Sequence, residues 1–238
     1  MADKIVGVIG GMGPEATVDL MRRVIRATPA QDDIDHIRMI VDNNPKVPSR
    51  IKAVIEGTGE SPAPILVEMA RKLEAYGADF LVIPCNTAHY YFNDIRSAVS
   101  IPVIDMIELT VDAVLRENPA LKTTGLLASQ AVLRTGLYMK RFGERGVDLV
   151  YPQDNLQDEL MTAIRTIKTG RYGTREKSIL LSAADDMIER KAEALIVACT
   201  ELSLIADALD PAVNVYDSAQ ILAEAVVRIA KERTQGFR

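Results

Sequence analysis

Short apolar runs alternate along this chain with longer stretches whose apolar residues recur every three or four positions. Ile5-Val6-Gly7-Val8-Ile9 is apolar throughout, as a strand buried on both faces must be. Pro14-Glu15-Ala16 then opens a predicted helix over 14–26, with proline where a missing N–H costs nothing. A second strand is predicted at 37–41. Residues 62–76 predict a helix with Ile65, Leu66, Met69 and Leu73 on one face. A third strand at 80–83, a helix over 88–98 and a short strand at Val103-Ile104 complete this part.

The plan then starts again. Lys122-Thr123-Thr124-Gly125-Leu126-Leu127 matches Lys4-Ile5-Val6-Gly7-Val8-Ile9 with a shift of 118. Ala192 to Cys199 matches Ala78 to Cys85 with a shift of 114, and Val215-Tyr216-Asp217 matches Val103-Ile104-Asp105 with a shift of 112. Three matches in one order indicate an internal duplication. Continuous apolar strands alternating with helices indicate parallel sheets covered on both faces. The expected fold is therefore α/β: two pseudosymmetric, three-layer, parallel-sheet halves with a cleft between them. Residues 1–105 plus 216–238 are expected to form the first half, and 106–215 the second. The amphipathic stretch 219–232 is expected to pack back on the first half, and the tail 234–238 to fray.

Composition narrows the function. The chain has 238 residues, 48% hydrophobic and 26% charged, enough for a sizeable core without staples. A net charge of −5, no Trp and four Phe argue against nucleic acid as a partner. The first apolar run stops at Gly10-Gly11, too soon for a signal peptide. No stretch approaches the ~20 apolar residues of a membrane helix, so a cytoplasmic location and no membrane partner are expected. There the two cysteines, 114 residues apart without a CxxC pattern, should remain thiols.

Cys85 and Cys199 occupy the same place in the two copies, each at the carboxyl end of a predicted strand, where open parallel sheets bind ligands. If the halves face each other about a pseudo-twofold axis, both thiols enter one cleft from opposite sides. Inverting a stereocentre by deprotonation needs a base on one face and an acid on the other, and a thiol/thiolate pair can serve as both. A helix start after each cysteine is expected to favour the thiolate. A single free cysteine is ordinarily inert packing; a matched pair at strand ends argues otherwise.

These residues carry a resemblance. Gly10-Gly11-Met12-Gly13-Pro14, Asn43-Asn44-Pro45 with Arg50 downstream, Pro84-Cys85-Asn86-Thr87-Ala88-His89 and Ala198-Cys199-Thr200-Glu201 resemble the cofactor-independent aspartate/glutamate racemase family, and its aspartate branch most. The resemblance spans nearly the whole chain. It implies a small acidic amino acid as substrate, a two-base mechanism through Cys85 and Cys199, no pyridoxal phosphate or metal, and usually a homodimer. It also implies Arg50 and, less specifically, Lys168 as carboxylate ligands. Met12, Asn86, Thr87, Thr200 and Glu201 complete the expected substrate-binding set, with Glu201 touching the amine or orienting Thr200. Two cations for two carboxylates would favour a dicarboxylic amino acid.

Other readings remain open on sequence alone. Gly11-Met12-Gly13-Pro14-Glu15-Ala16 fits the dinucleotide fingerprint of an NAD-dependent oxidoreductase. However, Pro14 removes an N–H from the phosphate cradle, and Asp42 lies 29 residues after Gly13, where roughly 20 is usual. Cys85 and His89 have a helical metal-ligand spacing, but zinc normally takes three protein ligands and the chain has only two histidines, His36 and His89. His89 is expected to hydrogen-bond behind the site. A non-catalytic two-lobed binding protein would also suit the fold, as would a decarboxylase, maleate isomerase or hydantoin racemase of the same superfamily. Asp105 and Asp217 are expected to cap the helices that follow them. Residues 154–177 are expected to form a helix and then a mobile loop, a possible lid carrying Lys168.

Overall fold

The computed structural model describes residues 3–232; the tail 234–238 lies outside them. In chain order the elements are β1 (Val6–Gly10), α1 (Pro14–Ala27), β2 (Met39–Asn43), α2 (Ala63–Ala75), β3 (Phe80–Val82), α3 (Phe92–Arg96), α4 (Met106–Glu117), β4 (Thr123–Leu127), α5 (Gln130–Thr135), α6 (Leu137–Gly143), β5 (Asp148–Val150), α7 (Asp154–Ile167), α8 (Thr174–Glu189), β6 (Ala194–Val197), β7 (Val215–Asp217) and α9 (Ser218–Lys231). All pairings between strands are parallel, in two sheets ordered β2-β1-β3 and β5-β4-β6-β7. A single parallel bridge, Leu81 to Val103, gives the first sheet a rudimentary fourth position. The two orders then coincide, β1 standing for β4, β2 for β5, β3 for β6 and Val103 for β7.

Each sheet is the middle of three layers. Val6, Val8, Phe80 and Val82 pack on Leu20 and Val24 of α1 and on Leu222, Ala223 and Val226 of α9. The opposite face carries Ile9, Leu81 and Ile83 against Leu66, Met69 and Leu73 of α2. In the second sheet Leu127, Leu195 and Val197 meet α7 and α8, while Leu126, Ala194 and Ile196 meet Val111 and Val114 of α4 and Phe142 of α6. The duplication reaches into packing detail. A Cβ on Gly7 would come within 2.5 Å of Leu81 Cδ2, and one on Gly125 within 2.6 Å of Leu195 Cδ2. The central strand of each half therefore needs a glycine for its neighbouring leucine.

The chain passes between halves at two aspartates. Asp105 caps α4, accepting from the N–H groups of Ile107 and Glu108, and Asp217 caps α9 through Ala219 N–H, as expected. α9 packs against α1 and α4.

Several local expectations need correction. The strand expected at 37–41 runs Met39–Asn43, leaving Ile37 as a core residue before it. Val103-Ile104 forms one bridge and no ladder. The helix expected over 88–98 is a 3-10 segment, Thr87–Tyr91, followed by the short α3. His89 explains the tighter winding: its buried ring bonds the Cys85 carbonyl at 2.9 Å and Met106 N–H at 3.0 Å. Residues 168–173 form a short turn between two packed helices, and Lys168 is the C-cap of α7. No described helix is long and apolar enough to cross a membrane.

Candidate active site

At the carboxyl ends of both sheets lies a pocket lined by Met12, Ser49, Arg50, Ile51, Cys85, Asn86, Thr87, Ser129, Val132, Ile164, Lys168, Ala198, Cys199, Thr200 and Glu201. The two cysteines and the residues expected to bind substrate (Met12, Arg50, Asn86, Thr87, Lys168, Thr200 and Glu201) are on this wall; His89, Asp105 and Asp217 are not. The pocket is tight, with about 30 Å³ of free volume, room for little more than water.

The two thiols line it from opposite halves, each 6% exposed. Their surroundings differ. Cys199 Sγ donates to Glu201 Oε2 at 3.2 Å. Burial pushes this thiol well above its ordinary range, the Glu201 carboxylate adds to the shift, and Lys168 opposes it. The expectation of a thiolate favoured at a helix start is therefore wrong for Cys199. A buried sulfur beside a carboxylate keeps its proton, and the 3-10 turn that follows, Leu202–Ala208, is no match for that charge. In the first half the position of Glu201 is taken by Thr87, whose hydroxyl lies 3.4 Å from Ser129 Oγ.

Glu201 also reaches the glycine loop: its Oε1 accepts from Gly13 N–H at 3.2 Å. Gly11 N–H donates to Thr17 Oγ1 at 2.9 Å. Gly11 has φ +90°, and a Cβ there would strike the Asn44 backbone at 2.2 Å. The fingerprint thus serves a crowded backbone crossing, and a carboxylate occupies the place where a dinucleotide's phosphates would need donors. Both ring nitrogens of His89 are engaged with backbone, which removes it as a metal ligand beside Cys85. Among the described residues no group of three His, Cys, Asp or Glu could hold a metal.

Two cations face the pocket. Arg50 donates through Nη2 to the Met12 carbonyl at 3.0 Å and through Nη1 to that of Pro48 at 3.2 Å, while its buried Nε has no acceptor. Lys168 Nζ stands 3.8 Å from Glu201 Oε1. The neutral polar residues are committed internally. Asn86 donates to Ser218 Oγ and accepts from Tyr138 OH, and Thr200 donates to the Pro84 carbonyl at 3.3 Å. These bonds tie the halves together at the pocket floor. Ser129 was missed in the sequence, although the 118-residue shift puts it opposite Gly11 and would have found it. Ile51, Val132 and Ile164 supply apolar walls that no motif announces.

A family model described as Asp/Glu/Hydantoin racemase matches residues 9–226. A broad specificity amino-acid racemase of Bacillus subtilis is 27% identical over 227 residues, 94% of this chain and 96% of that protein. The aspartate racemase of Picrophilus torridus superposes with a TM-score of 0.85 at 30% identity, covering 98% of this chain and 96% of its own. A glutamate racemase from Campylobacter jejuni shares the fold, with a TM-score of 0.64 at 18% identity over 98% of this chain and 86% of its own.

Proposed function

Given that this chain belongs to the Asp/Glu/hydantoin racemase family, we propose that it racemises aspartate, with glutamate as second substrate, through Cys85 and Cys199 and without a cofactor. One observation carries the reading: both cysteines line a single pocket, one from each half. The direction of the first step follows from the state of Cys199. It holds its proton against Glu201, so it is the acid, which leaves Cys85 the role of base, acting as thiolate. Cys85 takes the α-proton as the C–H bond breaks, and Cys199 delivers its proton to the opposite face of the same carbon. The products are the other enantiomer, a Cys85 thiol and a Cys199 thiolate, the arrangement that runs the reaction backward.

The charges favour an acidic substrate. Arg50 and Lys168 supply a cation for each carboxylate of an acidic amino acid, and Glu201 an anion for its ammonium. The unpartnered Arg50 Nε gains an acceptor when a carboxylate enters, which removes the cost of an unsatisfied buried donor. The Bacillus relative's name points to a wider range of amino acids, and the apolar Ile51, Val132 and Ile164 walls are compatible with that second reading. The test is chiral chromatography of L-aspartate, L-glutamate, L-alanine and L-lysine incubated with protein and no added cofactor. D-aspartate should accumulate fastest. Conversion of the neutral or basic amino acids at equal rates supports broad specificity, and no conversion of any overturns the proposal.

A further inference from the structure

Outside the pocket, one constellation is built twice. Arg23 and Arg141 are 118 residues apart, the shift that relates β1 to β4, while Asp105 and Asp217, like Glu108 and Gln220, are 112 apart. Arg23, on α1 of the first half, reaches the end of the second sheet: Nη1 lies 2.7 Å from Asp217 Oδ2, and Nη2 donates to the Ser203 carbonyl at 2.8 Å, while Gln220 Oε1, on α9 of its own half, lies 3.3 Å from Nη1. Arg141, on α6 of the second half, reaches back: Nη2 lies 2.6 Å from Asp105 Oδ2, and Nε lies 2.8 Å from Glu108 Oε2 on α4 of its own half. Each arginine thus grips the capping aspartate of the helix that leaves the other half. Both pairs are mostly buried.

The network continues to the sulfurs. Ser203 hydroxyl donates to Asp217 Oδ1 at 2.6 Å, and Ser203 N–H donates to the Cys199 carbonyl at 3.1 Å. His89, 114 residues earlier, holds the equivalent place. Its Nε2 accepts from Met106 N–H, the residue after Asp105, so the proton is on Nδ1 and is donated to the Cys85 carbonyl. From Cys199 the contacts run through Ser203 directly to Asp217 and Arg23; from Cys85 they run through His89 to the Met106 N–H, whose preceding residue Asp105 bonds Arg141.

We infer that Arg23 and Arg141 are positioning residues, Arg23 for the loop of Cys199 and Arg141 for the loop of Cys85, and that this reciprocal pair sets the spacing of the two sulfurs. The inference rests on the two-thiol reading above for its consequence in catalysis. A planar guanidinium fork bonded to several oxygens at once fixes direction as well as distance, which a single ammonium cannot do.

The experiment compares Arg23→Met and Arg141→Met by α-hydrogen exchange of L- and D-aspartate in D₂O. Cys85→Ser and Cys199→Ser identify which enantiomer each sulfur deprotonates. A displacement of the order of 1 Å costs about 100-fold in rate. Arg23→Met should therefore slow exchange at the Cys199 face by about that factor while the Cys85 face stays within a few-fold, and Arg141→Met should do the reverse. Equal slowing at both faces in both variants, as general destabilisation would give, overturns the inference, and so does no slowing. Iodoacetamide labelling of each cysteine, followed by peptide mass analysis, provides a readout without substrate. Arg23→Met should change the Cys199 rate and spare Cys85, with Arg141→Met opposite; equal changes overturn the inference. If wild type exchanges neither enantiomer, the proposed function falls and labelling alone judges the positioning role. Should a Met variant fail to fold, Arg23→Lys and Arg141→Lys keep the charge, lose the fork, and should show the same face selectivity in weaker form.

Discussion

At the scale of single residues the asymmetry between the thiols matters most. Removing the Glu201 charge should ease ionisation of Cys199, because that carboxylate adds to the upward push of burial. In wild type, iodoacetamide labelling of Cys199 should still be accelerating above pH 9, its ordinary value being 9.0. In Glu201→Gln the profile should move to lower pH; an unchanged profile would contradict the assigned role. Arg50→Ala should raise KM for aspartate by at least about tenfold, the loss of one charge-assisted hydrogen bond, while circular dichroism stays native. Unaltered kinetics would remove Arg50 from the site. The cysteines were legible from their matched places in the two copies, and Arg50 and Lys168 through the family resemblance. The state of Cys199 was not, since it depends on a neighbour's carboxylate turning toward the sulfur, which spacing alone does not fix.

At the scale of elements, the buried strands and long helices followed from periodicity, and the errors gathered where tertiary contacts override it. β5 has three residues, its apolar run too short to announce a strand, and the segment after Cys85 is wound as 3-10 helix around a buried histidine. Burial holds the His89 pKa below its ordinary 6.5, against the pull of Asp105. In the unfolded chain the ring takes up a proton that the folded site refuses. Its contribution to stability is therefore complete above pH 6.5 and is lost as pH falls from there toward the lowered folded value. Denaturant unfolding should show wild type's advantage over His89→Gln constant at higher pH and shrinking below about 6.5. An advantage that grows on acidification would contradict this. In β1, Gly7→Ala drives a methyl into Leu81, Ala78 and Leu73 and should cost about 1–3 kcal/mol by overpacking, read as a lower unfolding midpoint. A neutral result would mean that the strand can shift to make room.

The whole molecule is one half written twice. The duplication was readable from three matched segments and predicted two like parallel-sheet halves and the meeting of the two cysteines. Its cross-half bonds were not readable, because they join residues far apart in the chain, Arg23 and Asp217 being 194 positions apart. The pocket the halves enclose has about 30 Å³ of free volume, so turnover requires movement of its walls.

Deuterium incorporation in D₂O, followed by NMR for wild type, Cys85→Ser and Cys199→Ser, tests most directly whether two sulfurs serve one carbon. The expected result is exchange of both aspartate enantiomers by wild type with no cofactor added. Each substitution should abolish racemisation and leave exchange of one enantiomer only, a different one in each case. Racemisation surviving the loss of either sulfur would contradict the two-thiol site.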